Sequence, residues 1–160
     1  MQDLLSRVAL FEGIPPEGLA RLQQLGQIRR FAFGEHLTVQ GETADNAYVI
    51  TAGRVRVEQS HPGLMESVCI GDLGPGAIVG HEGLLDEASH SATATAVEET
   101  EAIELSGLVL SVTILKYPKV AGSLLRVLSR RMRSTDELTE AVLARRARRR
   151  DGVTRESVQP

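Results

Sequence analysis

Two histidines lie within a glycine-rich stretch near the middle of the chain. The run Gly80-His81-Glu82-Gly83-Leu84 is followed, after a short acidic loop, by His90-Ser91-Ala92-Thr93. Histidine changes its charge near neutral pH, so a protonated His90 could pair with an anion. Hydroxyls of the second run and backbone amides near the first could donate hydrogen bonds to the same anion, whereas Asp86 and Glu87 would oppose it. The stretch is therefore a candidate site for a small anionic ligand.

Other kinds of chemistry find little support in the residue spacing. The four histidines, at positions 36, 61, 81 and 90, form no compact metal-binding pattern with another histidine, a cysteine or an acid. His81 and His90 could converge in space, which keeps a metal or haem site as a minor alternative, but no metal site is predicted. Neither a Ser-His-Asp or Cys-His set nor a Walker-type phosphate loop is present, so an enzyme is not expected.

The elements that hold this stretch are predicted from apolar spacing and from glycines. The first 26 residues have leucines at helical spacing and form short helices that end at Gly26. From Ile28 to Leu105, apolar runs shorten and glycines recur, with clear alternation in Arg54-Val55-Arg56-Val57-Glu58. Such short strands predict an antiparallel barrel or sandwich.

Cys69, the single cysteine, lies in the apolar run Val68-Cys69-Ile70 and is expected to be a buried small side chain.

A long amphipathic helix is predicted after Pro118. Residues 119 to 149 contain no proline, and one narrow seam recurs every three or four residues: Leu124, Leu128, Met132, Thr135, Leu138 and Val142. A narrow seam on a long helix usually packs against a partner helix, so it predicts a homodimer. The expected organisation is a β-roll domain at residues 1–116, a dimer helix with a basic end at 117–150, and a disordered tail at 151–160.

Charge is divided unequally along the chain. Residues 1–116 carry 7 basic and 16 acidic side chains, whereas residues 117–160 carry 11 and 5. The basic arm Arg145–Arg150 could contact nucleic acid phosphates or an acidic protein, although a solvated helix end explains it as well. The absence of an 18-residue apolar run and of a signal-peptide pattern predicts a cytoplasmic protein that does not bind membranes.

Five motifs occur in an order that is typical of one known family. They are Leu10-Phe11-Glu12-Gly13-Ile14-Pro15-Pro16, Gln40-Gly41-Glu42-Thr43-Ala44-Asp45, Tyr48-Val49-Ile50-Thr51-Ala52-Gly53-Arg54-Val55, Leu73-Gly74-Pro75-Gly76 and Leu128-Ser129-Arg130-Arg131-Met132. Each is weak alone, but together they resemble the cyclic nucleotide-binding domain family of catabolite-activator regulators and protein kinase A regulatory subunits. The resemblance implies a mainly β fold, a β-roll or jelly-roll, with short N-terminal helices and a long C-terminal dimerisation helix.

In that family a glutamate after a glycine accepts from the ribose hydroxyl, and a later arginine pairs with the cyclic phosphate. Aligning Gly80 and Leu84 with this pattern puts His81 at the glutamate position and His90 at the arginine position. Glu82 could supply the acid only if the backbone slipped by one residue, which would displace Leu84. The residues that the resemblance assigns to the ligand are Gly80, His81, Glu82, Gly83, Leu84, His90, Ser91, Ala92, Thr93 and Thr135.

Thr135 falls where such regulators use a helix hydroxyl to touch the base, although a polar residue of the seam is the favoured interpretation. Three interpretations of the ligand site stay open: weak binding of cyclic AMP, cyclic GMP or another small anion; a vestigial pocket in a module that acts on a separate effector protein; and an ordinary cyclic nucleotide response, which is least favoured. The expected function is thus a non-enzymatic regulatory or sensor domain with weak, altered or lost nucleotide binding. Transcription factors of the family continue into a helix-turn-helix domain that this sequence does not reach, so sequence-specific nucleic acid binding is not expected.

Overall fold

The computed structural model describes residues 2–63, 65–85, 88–126, 128–130, 132–133, 136–137, 140–141 and 144. Within the described residues before Tyr117, four α-helices and a 3-10 turn flank the strands: α1 (Gln2–Ser6), the turn Ala9–Phe11, α2 (Pro16–Leu25), α3 (His81–Leu85) and α4 (Gly107–Lys116). The strands are β1 (Gln27–Phe31), β2 (His36–Thr38), β3 (Asn46–Ala52), β4 (Val55–Gln59), β5 (Val68–Leu73), β6 (Ile78–Val79), β7 (Thr93–Ala96) and β8 (Thr100–Ser106).

The strands form two antiparallel four-stranded sheets. One sheet has the order β1-β8-β3-β6 and the other the order β2-β7-β4-β5. Except for β4 and β5, neighbours in each sheet are not consecutive in sequence, because the chain crosses between the sheets after nearly every strand. This connectivity is that of a β-roll, so the predicted mainly β fold with flanking helices is confirmed.

The core between the sheets is aliphatic, as the scarcity of aromatic residues requires. Its buried members come from both sheets: Leu37, Ile50, Val55, Val57, Val79, Ala94, Ala96 and Ala102. On β4 the valines face this core, while Arg56 is exposed and pairs with Asp72 of β5 at 2.9 Å. On β4, period-2 alternation thus places one face of the strand in the core and the other toward water.

Glycine is required at the turn between β3 and β4. Gly53 has a φ of +85°, in the left-handed region that glycine adopts without steric cost. A Cβ atom there would collide with the Glu99 carbonyl oxygen and would lie 2.7 Å from Cα of Thr100. The turn is therefore packed against the chain before β8 and has no room for a side chain.

The compact unit continues beyond residue 116. One unit comprises Met1–Val127 and the other Leu128–Pro160. Residues 118–126 are helical, and Val120 and Leu124 are 0 % and 8 % exposed, so this helix packs against the body of its own chain. The start of the predicted dimer helix therefore contributes to the core of the first unit.

One feature of the sequence, the environment of its cysteine, differs from expectation. Cys69 is exposed on β5, so the expectation of a buried thiol is wrong.

Among the described residues, no single helix has the length and hydropathy to cross a membrane; only a bent pair, Gly107–Lys116 with Pro118–Arg130, meets the criterion when both are taken together.

Candidate functional site

The structure brings the two ends of the predicted ligand segment together at Gly80, which follows β6. Gly80 has a φ of +80°, and a Cβ atom there would lie 2.9 Å from the Asn46 carbonyl oxygen. It would also lie 3.1 Å from Cγ2 of Thr38 and 3.2 Å from Cε1 of His90. The His90 ring, β2 and the start of β3 therefore converge on one glycine that tolerates no side chain.

His81, at the first position of α3, belongs to the interior. Its side chain is 0 % exposed. By resemblance this position carries the acid that accepts from a ribose hydroxyl, whereas the structure holds an imidazole that solvent does not reach. A ligand hydroxyl could contact His81 only after its neighbours moved.

The hydroxyl groups of the second run are already engaged. Ser91 Oγ donates to Oε2 of Glu82 at 2.7 Å. Thr93 Oγ1 accepts from the Gln40 amide at 3.0 Å, and the Ala92 carbonyl accepts from Thr38 Oγ1 at 3.2 Å. Because a serine hydroxyl has one proton, Ser91 cannot donate to an anion while it donates to Glu82.

Gly83 and Leu84 fix α3 against the rest of the domain. Gly83 is buried, and a Cβ atom there would lie 2.5 Å from Cβ of Ala44 and 3.0 Å from the Ser89 carbonyl oxygen. Leu84 approaches Gly107, where an added Cβ would lie 3.1 Å from its Cδ2. Close packing of backbone on backbone explains why glycine occupies position 83, although its φ is not in the left-handed region.

His90 lies in an environment that favours its neutral form. Partial burial lowers the pKa of His90 below its usual value, and the nearby carboxylates of Glu42 and Asp45 oppose this effect only in part. Since an unperturbed histidine titrates near pH 6.5, the ring is mostly uncharged at neutral pH. Near pH 7 the His90 ring therefore provides no cation, and the carboxylates of Glu42 and Asp45 lie near it.

The backbone ties His90 to a segment that the sequence reasoning assigned only to a turn. The His90 amide donates to the Glu42 carbonyl and the Gly41 amide donates to the His90 carbonyl, both at 2.9 Å. Thr43 and Ser89 form an antiparallel bridge next to them. Sequence reasoning missed Glu42 and Asp45 as site residues; their acidic character inside the Gln40–Asp45 motif was the available signal.

Several predicted residues lie elsewhere. Thr135, Leu138, Val142 and the arm Arg145–Arg150 fall outside the described residues. Leu124 is buried in its own chain, whereas the prediction had it in the dimer seam; Leu128 is half-buried and Met132 is 68 % exposed. Within the described part of the chain, no group of three or more histidine, cysteine, aspartate or glutamate side chains is placed to hold a metal ion.

Comparison with known proteins agrees with this architecture. The family model for the cyclic nucleotide-binding domain matches residues 28–113. The cyclic AMP receptor protein of Thermus thermophilus is 35 % identical over 79 % of this chain and 58 % of its own length. The CRP-like cAMP-activated global transcriptional regulator of Mycobacterium tuberculosis is 29 % identical over 85 % of this chain and 60 % of its own length.

Similarity extends to three dimensions. The crystal structure of the Thermus thermophilus catabolite activator protein superimposes with a TM-score of 0.73 at 34 % identity, covering 85 % of this chain and 63 % of that chain. The chain therefore spans about 60 % of the length of the curated regulators that it matches. Because the family model covers more than half of the 160 residues and includes the whole Gly80–Thr93 segment, the chain belongs to the cyclic nucleotide-binding domain family.

Proposed function

We propose that this chain is a non-enzymatic regulatory domain, acting in the cytoplasm, in which binding of cyclic nucleotides is weak, altered or lost. The observation that carries the proposal is the environment of His90. By resemblance, the ring stands where the family uses an arginine; burial lowers the pKa of His90, and the carboxylates of Glu42 and Asp45 lie nearby. A cyclic phosphate would meet a neutral imidazole and two negative charges instead of a fixed cation.

The energetic consequence is large enough to measure. A charge-assisted hydrogen bond contributes about 1.5–3 kcal/mol, so its loss weakens binding roughly tenfold to more than a hundredfold. Ser91 offers no compensation while its proton is donated to Glu82. Burial of His81 also removes the acceptor expected for the ribose hydroxyl.

An ordinary cyclic AMP response is the second candidate. It is supported by 35 % identity to a protein named cyclic AMP receptor protein. A third candidate is a module that acts on a separate effector protein and keeps only a vestigial pocket. The buried His81 and the neutral His90 are consistent with such a pocket. Binding measurements separate the second candidate from the other two.

The decisive experiment is calorimetric titration of cyclic AMP and cyclic GMP at pH 6 and pH 7.5. We expect weak or undetectable binding by the wild type at pH 7.5. His90→Arg restores a permanent cation and should tighten binding of either nucleotide by roughly tenfold or more. The matched control is His61→Arg, which makes the same replacement on the connection between β4 and β5, outside the Gly80–Thr93 segment.

Three outcomes are informative in this titration. Tight binding by the wild type at pH 7.5 would support the cyclic AMP response and refute the proposal. Tighter binding by His90→Arg alone supports an altered but open pocket. No heat from any variant at millimolar ligand supports the vestigial pocket.

We further propose that the chain forms a homodimer through the predicted seam, which comprises Leu124, Leu128, Met132, Thr135, Leu138 and Val142. Because Leu124 is buried in its own chain, we expect the other five residues to make the contacts between the two copies. Light scattering should give twice the chain mass of 17.3 kDa. Met132→Glu should shift the mass toward the monomer, because a charge in an apolar seam is costly. Ala144→Glu is the matched control, since Ala144 is exposed like Met132 but falls opposite the seam at helical spacing. A wild-type monomer at tens of micromolar would refute the homodimer.

A further inference from the structure

Glu82 is a carboxylate held where the two runs of the ligand segment meet. It lies in the first turn of α3 and is half-buried, and its Oε2 atom accepts from Ser91 Oγ at 2.7 Å. Hydrogen bonds to a carboxylate are shorter and stronger than those between neutral groups. The contact therefore joins the first run to the second through one charged side chain.

The backbone between the two residues holds this contact in place. The Ala88 amide donates to the Gly83 carbonyl at 3.0 Å, so the chain after α3 turns back onto the helix. A Cβ atom on Gly83 would lie 3.0 Å from the Ser89 carbonyl oxygen, which shows how closely the returning chain packs. Main-chain packing thus brings Ser91 to the first turn of α3, where the Glu82 side chain reaches it.

Glu82 offers Ser91 the same chemistry that an anionic ligand would offer. A carboxylate and a phosphate both present negatively charged oxygens to a hydroxyl, and a serine hydroxyl has a single proton to donate. The two anions would also repel each other if they met at one hydroxyl. An anion can therefore accept from Ser91 only by displacing Glu82.

We propose that Glu82 is an internal competitor for the anion position, which determines how tightly the ligand segment binds a phosphate group. The inference rests on the proposed function in one respect, the placement of the ligand site at Gly80–Thr93. It adds a cause of weak binding that is separate from the exchange of an arginine for His90. His90 lacks the charge that attracts a phosphate, whereas Glu82 occupies the donor that the phosphate would use.

Removing the competitor should tighten binding, and calorimetric titration of cyclic AMP at pH 7.5 measures the change. Glu82→Ala should lower the dissociation constant roughly three- to tenfold, the range expected when one hydrogen-bond donor is freed. The titration is done in the wild type and in the His90→Arg variant, whose added cation is expected to raise the affinity. Glu17→Ala is the matched control, because Glu17 is an exposed acid in the first turn of α2.

A second substitution tests whether Glu82 acts through Ser91. Ser91→Ala removes the donor for which the carboxylate and the phosphate compete, so Glu82→Ala should gain little affinity in that background. An equal gain with and without the Ser91 hydroxyl would overturn the competition, because repulsion between charges alone would then explain it. Weaker binding by Glu82→Ala would also overturn it, since Glu82 would then accept from the ligand.

Glu82→Gln keeps the proposal testable if circular dichroism shows that Glu82→Ala does not fold. The amide is a neutral acceptor that holds Ser91 less strongly than a carboxylate does, so binding should still tighten relative to Glu17→Gln. No gain, or no detectable binding by any variant, would refute the competitor. The proposed function fails in a different way, through tight binding by the wild type, and a competitor would still be shown there by a further gain in Glu82→Ala.

Discussion

Gly53→Ala is expected to destabilise the domain by about 2–5 kcal/mol, because two separate costs coincide at one turn. A non-glycine residue in the left-handed region costs roughly 1–2 kcal/mol. The new Cβ would also collide with the Glu99 carbonyl oxygen and lie 2.6 Å from Oγ1 of Thr100, so the chain before β8 must shift. Forced displacement in a packed region costs typically about 1–3 kcal/mol.

The control for this variant is Gly34→Ala. Gly34 has nearly the same φ, +87°, but a Cβ atom there would meet nothing within 4 Å. Urea denaturation should show only the conformational cost of about 1–2 kcal/mol for Gly34→Ala. Equal losses in the two variants would mean that the turn between β3 and β4 adapts without strain, contrary to the expected collision.

Ile50→Ala should have a comparable effect, and for a different reason. Ile50 is 0 % exposed on β3 and belongs to the core between the sheets. Removing its branched side chain forfeits buried apolar area and leaves a cavity, at a cost of about 2–5 kcal/mol. Since small domains are stable by only about 5–15 kcal/mol, this is a substantial part of the total.

Ile28→Ala is the matched control in the same denaturation experiment. Ile28 lies on β1 and is 53 % exposed, so its truncation should cost less than about 1 kcal/mol. If both variants lost the same stability, the core would not lie between the sheets at Ile50. An altered slope of the urea transition would point instead to a change in the unfolded state.

The fold was predictable because its signals are local. Val55 and Val57 alternate with charged residues, and this pattern alone orients β4 correctly, with both valines in the core. Glycines at turns also mark where strands end, as Gly53 does. These features depend on neighbouring residues, which a sequence displays directly.

Cys69 shows where local signals fail. Three consecutive apolar residues, Val68-Cys69-Ile70, contain no alternation and therefore give no phase for β5. Among the strands that the structure describes, β5 pairs with β4 alone, and the register of this pair shifts between Val57 and Glu58. The exposure of β5 therefore follows the pairing rather than its own composition. Propensity could not have placed the thiol on the correct face.

The sequence predicts where the candidate site lies but not its electrostatics. Gly80, Leu84 and His90 were assigned to the site from their order along the chain. The acids that act on His90 come from the connection between β2 and β3. Backbone hydrogen bonds between His90 and residues Gly41 and Glu42 hold this connection close to His90. Sequence reasoning therefore expected a histidine that gains charge below pH 6.5, whereas burial moves its titration to lower pH.

The exposed thiol on β5 has a practical consequence for testing self-association. Cys69 is the single cysteine among 160 residues, and it is accessible, so a maleimide nitroxide would attach at one defined point per chain. A monomer labelled in this way carries an isolated electron spin. Any dipolar coupling between nitroxides must then arise from a second copy, and its frequency would measure the separation of the two β5 strands in the proposed dimer.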